Sequence, residues 1–147
     1  MKVKDCMTPK VNWIQPDMTI QDAAKLMAES DAGALPVGEE DRLIGMITDR
    51  DITVRAIAAG MSPETLVREI MTRELKYCFD DESVEHVAKN MGEIQVRRLP
   101  VMNRERRLVG IVTLGDLAGA ANPKVVGEAL GDVSRRGGQH TQSEARH

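Results

Sequence analysis

The chain says the same thing twice, and that repetition restricts its fold more than any other property of the sequence. Asp17 to Val37, DMTIQDAAKLMAESDAGALPV, lies over Asp81 to Val101, DESVEHVAKNMGEIQVRRLPV, at a constant offset of 64 residues. Asp17, Ala24, Lys25, Met27, Glu29, Leu35, Pro36 and Val37 recur as Asp81, Ala88, Lys89, Met91, Glu93, Leu99, Pro100 and Val101. One residue is then inserted, and LIGMITDRDI falls on LVGIVTLGDL at offset 65. Upstream, VKDCMT from Val3 falls on VREIMT from Val67. A chain of 147 residues is thus two copies of one unit of about 60.

Each copy carries the same pattern. KVNWIQ and LKYCF are short extended segments before Asp17 and Asp81. Thr19, with Asp22 three residues on, resembles a capping box, and Ser83 takes its place in the second copy. Ile20, Ala23, Ala24 and Met27 then recur at helical spacing, as do Val84, Val87, Ala88 and Met91. ALPV and LIGMIT, like RLPV and LVGIVT, read as paired strands joined by polar turns. A second helix starts near Asp51 and Asp116. The predicted fold is mixed α+β, each unit running strand, helix, strand, strand, helix. The boundaries read as 1–62 for the first repeat and 63–121 for the second. Residues 122–147 read as a short helix after Asn122-Pro123 followed by a disordered polar tail from Ser134. One unit of this size buries little by itself, so the two are expected to pack together.

Composition removes several classes. Aromatic residues are 2% of the chain, so the core rests on aliphatic residues and nine methionines. A net charge of −3 leaves no global footprint for nucleic acid, and no apolar run is long enough for a membrane span. Two cysteines, Cys6 and Cys78, form no disulfide framework and no zinc spacing, which suits a reduced, cytoplasmic protein. They fall on Ile70 and Ile14 in the repeat, so they read as small buried hydrophobes. The three histidines lack ligand spacing, there is no phosphate-binding glycine loop of the Walker type, and no nucleophile is marked beside a base. An enzyme is not expected, and neither is a metal site.

The paired LPV strand and Gly-h-h-Thr-x-x-Asp corner, where h is apolar, together resemble the cystathionine-β-synthase (CBS) domain family in its tandem form, the Bateman module. The likeness covers about residues 1 to 120. It implies two pseudo-twofold-related repeats, two clefts for adenine nucleotides (AMP, ADP or ATP), and pairing of modules into homodimers. It implies a regulatory sensor that acts on an unidentified protein effector through ligand-dependent rearrangement. No cofactor beyond the regulatory nucleotide is expected, although magnesium can accompany ATP. Two alternatives stay open: an S-adenosylmethionine module, and a structural or interaction dimer with vestigial clefts.

By this resemblance Asp51 and Asp116 hold ribose, since an acceptor-only carboxylate suits paired hydroxyl donors. Thr48 and Thr113 lie by the phosphate, where a strand ends and a helix begins. Arg97 and Arg98, just before Leu99, reach phosphates at the Thr48–Asp51 corner, while Arg50 faces those at the Asp116 corner; guanidinium binds phosphate bidentately. Trp13, Ile14, Tyr77, Cys78, Pro36 and Pro100 border the adenine. Each assignment has a plainer counterpart: Thr and Asp cap helices, aromatic rings pack in cores, and prolines end strand pairing. The two copies also differ. Arg97-Arg98 stands where the first copy has Gly33-Ala34, and Asp49-Arg50 where the second has Leu114-Gly115, so the two corners are expected to differ in charge, the Asp51 corner being the better supplied with cations and the tighter for a phosphorylated ligand.

Overall fold

The computed structural model describes residues 1–9, 11–40, 42–73 and 75–135. In chain order these form a 3-10 turn at Val3–Asp5, β1 (Thr8–Pro9), α1 (Ile20–Ser30), β2 (Ala34–Glu39), β3 (Arg42–Thr48) and a π-helix at Asp51–Ile57. There follow α2 (Val67–Ile70), β4 (Cys78–Phe79), α3 (Val84–Ile94), β5 (Arg98–Met102), β6 (Leu108–Thr113), α4 (Leu114–Ala118) and α5 (Pro123–Val133). Most of the polar tail read from the sequence, residues 136–147, lies outside the described residues.

The compact units do not coincide with the sequence repeats. Unit 1 joins Met1–Val11 to the described chain from Lys76 onward, whereas unit 2 is Asn12–Leu75. The leading segment of each repeat therefore packs on the other repeat's helix and sheet. The hydrogen bonds show it residue for residue. In unit 1 the N–H groups of Val3 and Lys4 donate to the carbonyls of Glu82 and Asp80 at 2.9 and 3.0 Å, and the Val84 N–H donates to Met1 at 3.0 Å. In unit 2 the N–H groups of Val67 and Arg68 donate to Met18 and Pro16 at 2.8 and 3.0 Å, and that of Ile20 donates to Thr65 at 2.8 Å.

The repeated glycine is explained by this exchange. In unit 1 β1 lies antiparallel on β6, pairing Thr8 with Ile111 and Pro9 with Gly110. A Cβ on Gly110 would stand 2.6 Å from the Thr8 carbonyl oxygen and 2.8 Å from Met7 Sδ. In unit 2 Thr72 bridges Met46, and a Cβ on Gly45 would stand 2.7 Å from the Thr72 carbonyl oxygen and 3.0 Å from Met71 Sδ. No side chain fits beneath the leading segment in either unit.

Around this feature each unit builds a sheet with one helical face. Unit 1 has the strand order β1-β6-β5-β4, with β4 parallel to β5. Unit 2 pairs β2 with β3 and completes the same arrangement by single bridges, Thr72 to Met46 and Ile14 to Val37. Both hairpins carry an irregularity at the equivalent place, after Val37 and after Val101. Thr19 and Ser83 cap α1 and α3 as their spacing predicts, accepting from the N–H groups of Asp22 and His86 at 3.1 Å. The core of unit 1 gathers Val3, Val87, Met91, Leu99, Val112 and Leu117; that of unit 2 gathers Ile14, Ile20, Leu35, Ile47, Val67 and Ile70.

Helix α5 belongs to unit 1 and has no counterpart among the described residues of unit 2. Its buried face packs on α3, with Gly92 so close to Ala129 that a Cβ there would stand 2.9 Å from the Ala129 Cα. Gln95 Nε2 donates to the Asp132 carbonyl at 3.0 Å, and the Asn122 N–H donates to Glu85 Oε2 at 3.1 Å. Ala88 and Gly92 are thereby buried, whereas the corresponding Ala24 and Ala28 of α1 are exposed.

Candidate ligand-binding site

The Thr-x-x-Asp corners form reciprocal caps in both units. The Asp51 N–H donates to Thr48 Oγ1 at 3.0 Å, while the Thr48 N–H donates to Asp51 Oδ2 at 2.9 Å. The same pair of bonds links Asp116 and Thr113, at 3.0 and 2.9 Å. Capping, the plainer reading of these residues, is therefore what these side chains do in the described structure.

Beyond the caps the corners diverge. Thr48 and Asp51 are 1% and 0% exposed. Asp51 Oδ1 is buried without a hydrogen-bond partner among the described residues, as is Arg55 Nη1 one turn further along the π-helix. Thr113 and Asp116 are only half-buried. The chain after Thr48 winds as a π-helix through Ile57, but the chain after Thr113 makes only the short α4 before turning into α5.

Unit 1 contains a cavity of about 330 Å³ at its corner. Arg97, Arg98, Thr113 and Gly115 line one part of it, and Ala118, Val126 and Leu130 another. The arginines arrive there by strand register. Arg98 opens β5 directly opposite Thr113 at the end of β6, and the Leu114 N–H donates to the Arg97 carbonyl at 2.9 Å. The sequence reading paired these arginines with Thr48 and Asp51; the hairpin places them beside Thr113 of their own unit. Among the described residues the Arg97 side chain has no salt-bridge partner.

In unit 2 the same register sets Ala34 opposite Thr48, and the Asp49 N–H donates to the Gly33 carbonyl at 2.9 Å. With Gly33 and Ala34 in the arginine positions, that corner has no cation from its hairpin. Arg50 instead lines a more open hollow of about 320 Å³ with Asp49, Thr53 and Val54. Its backbone N–H donates to Asp49 Oδ1 at 2.8 Å.

The residues expected around adenine fall into one group in each unit: the Ile14 N–H donates to the Pro36 carbonyl at 3.0 Å in unit 2, and Cys78 pairs with Val101, next to Pro100, in unit 1. Ile14 and Cys78 are buried in the two cores, 0% and 4% exposed, and Pro36 and Pro100 are buried within β2 and β5. The Trp13 ring lies against Gly38, where an added Cβ would overlap it. Tyr77 meets the Phe79 ring edge-on, with centroids 5.6 Å apart. Neither ring lines the cavity of unit 1. Phe79 in turn lies under the Arg104 guanidinium, 4.0 Å from the ring centroid. Arg104 holds Asp81 at 2.8 Å, a hydrogen bond that keeps the Asp81 carboxyl below its ordinary range. Burial, helped by Glu82 and Cys6, pushes the Cys78 thiol up to about 12.

The described residues hold no cluster of three or more His, Cys, Asp or Glu able to bind a metal, and no helix among them is long and apolar enough to cross a membrane.

The family model described as CBS domain matches residues 3–56 and 67–122. A CBS domain-containing protein of Bacillus subtilis, YhcV, is 43% identical over 91% of this chain and 96% of its own length. The solved CBS domain pair of MJ0100, in complex with 5-methylthioadenosine and S-adenosyl-L-methionine, is 33% identical and covers 81% of this chain and 94% of its own, with a TM-score of 0.73. CBSX2 in complex with AMP is 28% identical, covers 81% and 94%, and superposes with a TM-score of 0.69.

Proposed function

We propose, from the premise that this chain belongs to the CBS domain family, that it is a regulatory module binding an adenosine nucleotide at the corner of unit 1. The observation that carries this reading is the cavity where Arg97 and Arg98 stand beside Thr113. Two guanidinium groups supply charge and paired donors for a phosphate or polyphosphate. Asp116 does not line the cavity itself but caps the corner beside it; it is half-buried, and with Oδ2 engaged by the Thr113 N–H it keeps a second carboxylate oxygen for ribose hydroxyls. The structural relatives solved with AMP, and with S-adenosyl-L-methionine and methylthioadenosine, support the adenosine part of the reading. The arginines favour a phosphorylated ligand over S-adenosylmethionine, which carries a positive sulfonium.

The module acts as a sensor without catalysis, through a ligand that binds one arrangement better than another. A homodimer completes the reading, supported by the exposed apolar side chains Val54, Ile57 and Met61.

Isothermal titration of the whole chain with AMP, ATP and S-adenosylmethionine tests it. Arg97→Ser should weaken AMP or ATP about tenfold or more, the loss of one charged hydrogen bond. Arg50→Ser should change that affinity much less. Equal affinity for Arg97→Ser and the parent rejects the site.

A second reading, a structural module with a vestigial site, is favoured by the complete burial of Asp51. Thermal unfolding separates the two. A bound nucleotide at one hundred times its dissociation constant adds about 2.7 kcal/mol, and a vestigial site adds nothing.

A further inference from the structure

The functional reading uses only one side of the cavity in unit 1. The other side is apolar and comes from α5, an element outside both sequence repeats. Leu130 is 51% exposed, and its neighbour one turn earlier, Val126, is half-buried; both face the cavity that Arg97 and Arg98 line. Helix α5 is fixed in that position by the contact of Ala129 with Gly92 and by the hydrogen bonds of Asp132 and Asn122 to α3. The wall is thus preformed and is not a loose end resting on the surface. Ala118 on α4 extends it.

A half-exposed leucine on an otherwise polar rim is common on protein surfaces and needs no ligand. This one differs because it shares a cavity of about 330 Å³ with two arginines, Thr113 and the Gly115 backbone. That volume is at the lower end for small-molecule pockets, enough for one compact ligand with a charged and an apolar part. A bare anion would leave the α5 wall against water, and an uncharged apolar molecule would gain nothing from the exposed Arg97 guanidinium.

We infer that the cavity of unit 1 selects amphipathic anions, with the charged group on Arg97 and Arg98 and a flat or branched apolar group against Val126 and Leu130. Helix α5 is then the specificity-determining element of this site, and unit 2 lacks the selectivity because it lacks both the arginines and the helix. The inference rests on the functional reading for the location of the site, but not on the ligand being a nucleotide. For a nucleotide it predicts that the apolar wall meets the base or another apolar substituent, and that inorganic pyrophosphate alone binds poorly.

The probe is 1-anilinonaphthalene-8-sulfonate, an amphipathic anion whose emission rises on leaving water, added to the whole chain. Leu130 is exposed enough that Leu130→Asn should keep the fold, and its thermal midpoint is the control. The expected result is one site per chain, weakened about fivefold by Leu130→Asn and about tenfold by Arg97→Gln, and restored by Leu130→Met. Pyrophosphate should not displace the dye at concentrations where AMP does. Absence of dye binding overturns the inference, as does binding that ignores either substitution. Displacement by AMP supports both this inference and the nucleotide reading. Dye binding that obeys both substitutions but resists AMP, ATP and S-adenosylmethionine keeps the amphipathic site and rejects the nucleotide reading.

Discussion

Unit 1 and unit 2 start from one pattern and end with different corners. Both carry Thr-x-x-Asp, both close the reciprocal cap, and both have strand register that sets a fixed residue opposite the threonine. In unit 1 that residue is Arg98, the threonine is half-buried, and a cavity opens beside it. In unit 2 it is Ala34, and the carboxylate is buried at the start of a π-helix, with one oxygen unpartnered among the described residues. The lesson is that a repeated motif preserves scaffold chemistry first. The cap and the glycine crossing are kept in both copies, while the arginine opposite the threonine is present in one.

The strongest test of what is kept is the glycine pair. Gly45→Val and Gly110→Val should each destabilise their unit by about 1–3 kcal/mol or more, because a Cβ meets a backbone carbonyl at 2.7 or 2.6 Å and the leading segment must lift away. Urea unfolding checks this. Similar losses in the two variants sustain the equivalence of the units; a large loss in one alone breaks it.

Much of this was legible in the sequence, and the parts that were not have a common cause. The repeat set the elements, their order and the caps at Thr19 and Ser83, because periodicity and capping are local properties. The boundary at residue 62 divides the sequence repeats, as the two family-model matches do, and the compact units cut the chain elsewhere, with Met1–Val11 in one unit and Asn12–Leu75 in the other. Exchange of a leading segment is decided by long-range pairing, which short-range pattern does not encode. The paired glycines of GMIT and GIVT were the available signal, since a glycine at one position in both strands marks close backbone approach. The arginine placement was within reach as well. Once RLPV and LVGIVT are read as a hairpin, the residue before Leu99 must fall near Thr113. The π-helix after Thr48 leaves no trace in propensity, so the burial of Asp51 could not have been read.

That burial gives the next test. Asp51→Ala removes the acceptor of a buried N–H and should cost about 1–3 kcal/mol. Asp116→Ala removes the same bond from a half-buried site, where water replaces the acceptor, and should cost about 0.5–2 kcal/mol, as cap losses do. Thermal or urea unfolding of the two variants measures the gap. If Asp116→Ala is the more damaging, the ranking of the two corners by burial is wrong. The ligand assay then sharpens the contrast in the other direction: Asp116→Ala should weaken nucleotide binding, and Asp51→Ala should leave the site in unit 1 intact.

The smallest expected effect separates the cores. Both cysteines lie in unit 1, where unit 2 has Ile14 and Ile70 at the matching positions. Folding holds the Cys78 thiol protonated up to about 12, mainly because burial disfavours the thiolate. The unfolded chain releases that proton near its ordinary value of 9.0. Below that value both states carry the proton, and the stabilising contribution is complete. Above it the unfolded state binds fewer protons, so stability falls as pH rises towards about 12, by at most about 1.4 kcal/mol per pH unit. Urea midpoints between pH 8 and 10.5 should therefore decline, and Cys78→Val should flatten the decline. Since unit 2 offers an isoleucine at this place, the alkaline loss should begin in unit 1, visible as earlier hydrogen exchange in β4 and β5 than in β2 and β3. A decline that Cys78→Val leaves unchanged, or one that opens β2 and β3 first, would assign the alkaline sensitivity to groups other than this thiol.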